Sequence, residues 1–293
     1  MHPHLERSLI NKLMKKQDEL SKEEINVQLI ITTHSPFILS KIKKSDIRLI
    51  SKVNNQYKIT KFDEDFIRTI ISDLSYDKLK HLDYIFRIYP EIFLSKCVIV
   101  VEGRSEFGAM PEFAKKIPGI DLDELGITII NTEGKGSIKY IYLILKKFTK
   151  CIAIRDADDQ SENDDDLIQN INEPYYKTNF KDFEDEIINS ISIQKLVKLL
   201  IKLFPEGIGQ SYINFLKSQI QQLRSLTLNQ IIADIEGLDL SQVAINKSLV
   251  ADVLRKGCKT SLFWSILSSE FLIDEIPESY KKIILEAREL VRC

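Results

Sequence analysis

VIVVEGRSE, residues 98–106, opens on four apolar β-branched residues and then turns, within one step, to Glu102, a glycine, an arginine and a second acid at Glu106. A run apolar at every position is the mark of a strand covered on both faces, since a half-exposed strand alternates. The flanking sequence continues the pattern. CVIVV (97–101) is followed by a helical stretch from about Glu106 to Lys116. ITIIN (127–131) is followed by another, from Ser137 to about Phe148, with Ile138, Ile141, Leu145 and Phe148 on one face; CIAIR (151–155) closes the run. This β-α-β-α-β order predicts parallel strands whose carboxyl ends share one edge, where reactive groups collect. Glu102 follows the first strand, and Asp156 and Asp158 follow the third. Carboxylates converging on one edge repel one another unless a cation lies between them, and hard oxygen ligands of this kind suit Mg²⁺ or Mn²⁺.

The rest of the chain frames this unit. Its 293 residues are enough for a sizeable core and about two domains. With 44% hydrophobic and 29% charged residues, and no apolar run near the length of a membrane span, a membrane role is excluded. The start MHPHLERSLI is polar where a signal peptide would be apolar, and the four cysteines form no CxxC pair, so a reducing cytoplasm is expected. The net charge of −2 reveals no nucleic-acid binder; such a function has to rest on local basic clusters. Before the central unit, the pattern predicts a polar helix (Leu5 to about Leu20) and a strand QLIITT (28–33). A hairpin of DIRLISKV and QYKITKF turns at Asn54-Asn55, and amphipathic helix follows over 63–95. After it, the chain reads as nearly all helical.

Taken together, VEGRSE and IRDADD resemble the Toprim fold, a metal-binding module with a glutamate after its first strand and Asp-x-Asp after its third. A second resemblance lies upstream. ITTHSPFIL (31–39) looks like the H-loop of ABC-type ATPases, and HPHL (2–5) is similar to the segment after their Walker B motif and D-loop. An ABC ATPase end leading into Toprim is the order found in the OLD (overcoming lysogenization defect) family of nucleases. The resemblance implies an α/β fold, a Toprim-like parallel sheet flanked by helices. It also implies an organisation of 1–62 as an ABC ATPase remnant, 63–94 as a helical connector, 95–190 as the Toprim core and 191–293 as its helical C-terminal part.

Carried over position by position, the family pattern makes Glu102, Glu106, Asp156 and Asp158 metal ligands. Asp182 and Glu184 in FKDFEDEI complete a second site, although a serine is expected where Asp182 stands. Lys259 is implied as the lysine that steadies transition-state charge, with Lys256 the alternative, and His34 as the nucleotide contact. The implied function is a metal-dependent DNA endonuclease with one or two Mg²⁺ or Mn²⁺ ions, homo-oligomeric and acting in phage defence or DNA metabolism, possessing ATP control through an ATPase half. No P-loop is present: EGKGS (133–137) lacks the earlier glycine, so ATP is not bound by this sequence alone in the ABC manner.

Plainer readings compete. Acids are common where strands end, and Glu106 also suits the first turn of a helix, where the dipole favours negative charge. The acidic run 159–166 reads as a solvated loop; an EF-hand is rejected because Ser161 and Leu167 stand where glycine and glutamate are required. Lys135, Lys139, Lys146, Lys147 and Lys150 either meet DNA phosphates or form a solvated face, and Met110 and Trp264 read as core. A topoisomerase or primase role and a non-catalytic assembly module remain the alternatives.

Overall fold

The computed structural model describes residues 2–53, 55–71, 75–134, 136–158 and 173–292. Helix α1 (Pro3–Lys22) starts on a proline, and the His2 ring accepts the His4 N–H at 3.3 Å as its cap. The expected strand 28–33 is absent: 25–35 runs as irregular chain before the short α2 (Pro36–Leu39), with Ile30 79% exposed. The apolar pattern there is genuine, but a strand requires a ladder partner, and among the described residues none lies beside it. The hairpin forms as its alternation requires. Strands β1 (Arg48–Val53) and β2 (Gln56–Lys61) pair antiparallel with Val53 opposite Gln56, and Asn55 takes φ 62°, which asparagine tolerates in a tight turn.

Two capped helices follow, α3 (Glu64–Ile70) under Asp63 and α4 (Tyr76–Ile88) under Ser75. The chain then enters β3 (Cys97–Val101), α5 (Arg104–Lys116), α6 (Leu122–Leu125), β4 (Ile127–Asn131), α7 (Ile138–Leu145), β5 (Lys150–Arg155) and β6 (Tyr175–Lys177). The four strands form one parallel sheet in the order β4-β3-β5-β6. This is the α/β architecture that the sequence implies. Helix α5 begins two residues before the expected Glu106, because Gly103 serves as its N-cap.

Every residue of β3 is buried, and its alternate side chains enter two different cores. Val98 and Val100 join Ile130, Ala153, α7, α4 and the ring of Phe62, which packs edge-on to Phe86, Phe93 and Phe148. Cys97, Ile99 and Val101 join α5 and the C-terminal helices. Each fully buried Val or Ile contributes about 1.5–3 kcal/mol, so the strand that carries Glu102 is among the most firmly held parts of the chain.

The C-terminal helices are α8 (Phe183–Ser190), α9 (Ile193–Leu203), α10 (Ile208–Gln219), α11 (Leu228–Asp234), α12 (Lys247–Gly257), α13 (Ser261–Ser269) and α14 (Glu278–Arg292). Two packings bear on the strand-end acids. Helix α13 lies on α5 so closely that a Cβ on Gly108 would stand 2.1 Å from the Ser261 carbonyl oxygen, so only glycine fits there. Helix α12 packs against α8. Met110 and Trp264 are fully buried core residues, and Cys97, Cys151 and Cys258 are buried thiols. No helix among the described residues is long and apolar enough to cross a membrane.

Candidate functional site

Glu102 leaves β3 one residue beyond Val101, which lies opposite Ile154 of β5; the parallel register therefore brings Glu102 to the start of the Asp156 segment. The contact is direct: the Asp156 N–H donates to Glu102 Oε2 at 3.2 Å. The same residue reaches the next element, since Asp156 Oδ1 accepts the N–H of Phe183, the first residue of α8, at 3.1 Å. Phe183 stands between Asp182 and Glu184, so one aspartate ties together all three acid-bearing segments. Asp158 is half-buried and anchors by its own N–H to the Lys181 carbonyl at 3.0 Å, and the Ala157 N–H donates to Thr178 Oγ1 at 2.9 Å.

These acids are withdrawn from water. Glu102 is 5% exposed, Glu106 3% and Glu184 9%, burial that carboxylates almost never show without a partner. Burial, then the charges of Glu184 and Glu102, push the Glu106 carboxyl up to about 8, against the pull of the backbone N–H groups of Glu106 and Gly103. Asp156 is raised further still, first by burial and then by Glu106, Glu102, Glu184 and Asp182. Glu184 is raised by burial and by Asp182, while the Ser105 hydroxyl, donating at 3.2 Å, and the charge of Arg255 lower it. Each of these acids thus feels at least one neighbouring carboxylate, as like charges gathered in a buried place do. Among the described residues no three His, Cys, Asp or Glu side chains are spaced as a formed metal centre. The chemistry of the donor set nevertheless fits a hard divalent ion: buried carboxylate oxygens, mutually repelling, on segments fixed by the core.

Asp182 sits differently. It caps α8, with Oδ1 accepting the Asp185 N–H at 3.0 Å, and the Arg255 guanidinium holds both of its oxygens, Nε to Oδ2 at 2.5 Å and Nη2 to Oδ1 at 3.0 Å. Arg255 also reaches Asp185 at 2.7 Å and Asp252 at 3.1 Å. Sequence reading missed Arg255. Its one local signal is a basic residue in the last turn of a helix, where the dipole favours it, and that signal names no partner 73 positions away. Glu186, also missed as distinct, is buried and shapes the loop before α8 by accepting the N–H groups of Asn179 and Phe180.

Lys256 and Lys259 are both exposed, on either side of buried Cys258. The Cys258 thiol is pushed up to about 12 by burial and by the charge of Glu184, so this turn lies beside the acid cluster. His34 is exposed in the 25–35 segment, and no hydrogen bond or ion pair among the described residues joins it to the acids. Of the basic residues considered for DNA, Lys146 pairs with Glu173 at 2.7 Å and Lys150 donates to the Leu290 carbonyl, so both are engaged within the fold. Lys135 and the acidic run 159–166 lie outside the described residues.

Residues 93–158 match a family described as overcoming lysogenization defect protein-like, TOPRIM domain. A curated relative, endonuclease GajA of Bacillus cereus (strain HuB5-5), is 27% identical over 214 residues, which cover 68% of this chain and 29% of the relative. The chain therefore spans under a third of that protein's length. Two solved structures share 18–19% identity: the C-terminal region of the Xanthomonas campestris pv. campestris OLD protein (TM-score 0.48, 69% of this chain and 96% of that one) and the corresponding region from Burkholderia pseudomallei (TM-score 0.46, 67% and 98%).

Proposed function

We propose that residues 93–158, which match the OLD-like TOPRIM family, form, with the acidic segment at the start of α8, the catalytic centre of a divalent-metal-dependent DNA endonuclease. The observation that carries the reading is the pair of backbone hydrogen bonds joining Glu102, Asp156 and the Asp182–Glu184 segment into one buried acidic cluster. Glu102, Glu106, Asp156 and Asp158, joined by Glu184 from α8, would hold the ion, Mg²⁺ or Mn²⁺. When bound, such an ion supplies a water of lowered pKa and neutralises charge developing at phosphorus.

The protein's own residues do the rest. Cores on both faces of β3 fix Glu102, so its carboxylate is aimed without further ordering. Burial excludes water and strengthens every charge interaction inside. Lys259, on the turn beside Glu184, steadies the charge on the scissile phosphate, with Lys256 the neighbouring alternative. In the same reading residues 1–62 are the end of an ABC-type ATPase domain in which His34 contacts nucleotide, and ATP acts through the remainder of that domain. The setting is cytoplasmic phage defence or DNA metabolism, with DNA as substrate, a homo-oligomeric full-length protein and a partner protein in the defence system.

The test is supercoiled plasmid incubated with the full chain in Mg²⁺, Mn²⁺ or EDTA, alongside Asp158→Ala. Nicked or linear product that requires the ion and disappears in the variant is expected. Equal nicking by the variant, or cleavage unaffected by EDTA, would overturn the assignment.

A further inference from the structure

Asp182 and Glu184 are neighbours in sequence, but they belong to different electrostatic settings. Glu184 faces the other carboxylates and has a neutral Ser105 hydroxyl as its hydrogen-bond donor. Asp182 accepts three donors: the Asp185 N–H, Arg255 Nε and Arg255 Nη2. The guanidinium is planar, permanently charged and matched to a carboxylate edge, so the double contact on Asp182 fixes its plane as well as its charge. Asp185 and Asp252 complete a three-acid cradle around this one arginine. The pair is three-quarters or more buried on both sides, with side-chain exposures of 23% and 9%.

Resting on the nuclease reading above, we infer that Arg255 stands in the place of a second divalent ion: the cluster takes one ion through Glu102, Glu106, Asp156, Asp158 and Glu184, while Asp182 is an anchor for Arg255 and not a ligand. Two features support this. A second dication brought to Asp182 would meet a fixed positive charge already using both carboxylate oxygens, and displacing the arginine would cost its two hydrogen bonds to that carboxylate. The link also joins α8 to the last turn of α12, directly before Lys256, Cys258 and Lys259. Arg255 thereby positions the basic turn against the acid cluster, and neutralisation of the leaving oxygen falls to side chains of this segment.

The test counts ions. Mn²⁺ is titrated into the full-length chain, without DNA, by calorimetry and by native mass spectrometry, for wild type, Arg255→Gln, Arg255→Lys and Asp182→Asn. One Mn²⁺ per chain is expected for wild type and for Arg255→Lys, and two for Arg255→Gln. Asp182→Asn should keep the single ion with its affinity within about threefold. Two ions on wild type, an unchanged count of one in Arg255→Gln, or loss of the ion in Asp182→Asn would each overturn the assignment. Should Arg255→Gln fail to fold, wild type and Asp182→Asn decide the matter by themselves. The ion count is independent of the plasmid assay above: one Mn²⁺ per chain with plasmid left intact in that assay refutes the nuclease reading alone, whereas two ions on wild type refute the arginine assignment alone.

Discussion

At the carboxyl edge of β3 and β5 each acidic segment is fixed by a neighbour: Glu102 accepts the Asp156 N–H, Asp156 accepts the Phe183 N–H, and Asp182 is locked by Arg255. The stretch 25–35 also carries a legible motif, yet Ile25, Val27, Ile30 and Ile31 are exposed and His34 projects from irregular chain. The difference is one of support. A side chain whose backbone is backed by two cores is held in one geometry, whereas a motif without a ladder partner keeps its composition and loses its shape.

If that contrast is right, substitutions at the sheet edge should be severe and those in 25–35 mild. Asp158→Ala should lower metal-dependent plasmid cleavage by at least about 10³-fold with little change in melting temperature, because lost transition-state stabilisation costs about tenfold per 1.4 kcal/mol. Gly108→Ala should destabilise the chain by about 3 kcal/mol, read from urea unfolding, because the added methyl meets the Ser261 backbone, which has no flexible end to move. A normal midpoint for that variant would mean α13 is not seated on α5.

Glu106 supplies a pH test. Its carboxyl lies near 8 in the fold against an ordinary value of 4.5, so the folded state binds more protons between these limits and the metal-free chain should lose stability as pH rises through that window. Glu106→Gln removes this loss, raising metal-free stability near pH 8 and changing it little near pH 4.5. Mn²⁺ should stabilise wild type increasingly over the same range, since cation binding competes with protons. A flat stability profile would break the account of the buried acids. His34→Ala should change both stability and plasmid cleavage least, within about 0.5 kcal/mol by urea unfolding.

What the sequence made legible follows the same division. The strands 97–101 and 127–131 and the buried face of Ile138, Ile141 and Leu145 were readable because burial on both faces leaves a local pattern. The acids at the strand ends were readable because parallel order alone brings them to one edge. Strand β6 was not, because three residues carry no period. Arg255 was not, because a guanidinium meeting Asp182 across 73 positions is a property of how α12 packs on α8. The strand expected at 28–33 erred in the opposite direction: its β-branched apolar run is present, but pairing is a non-local condition that composition cannot guarantee.

The central claim is that acids from separate stretches of backbone share one divalent cation. Crystals of the chain soaked in Mn²⁺ and measured at the manganese absorption edge test it most directly. A single strong anomalous peak among the carboxylates of Glu102, Glu106 and Asp156 is the expected result. No peak there, or manganese bound solely at exposed acids such as Glu23 and Glu24, would contradict it.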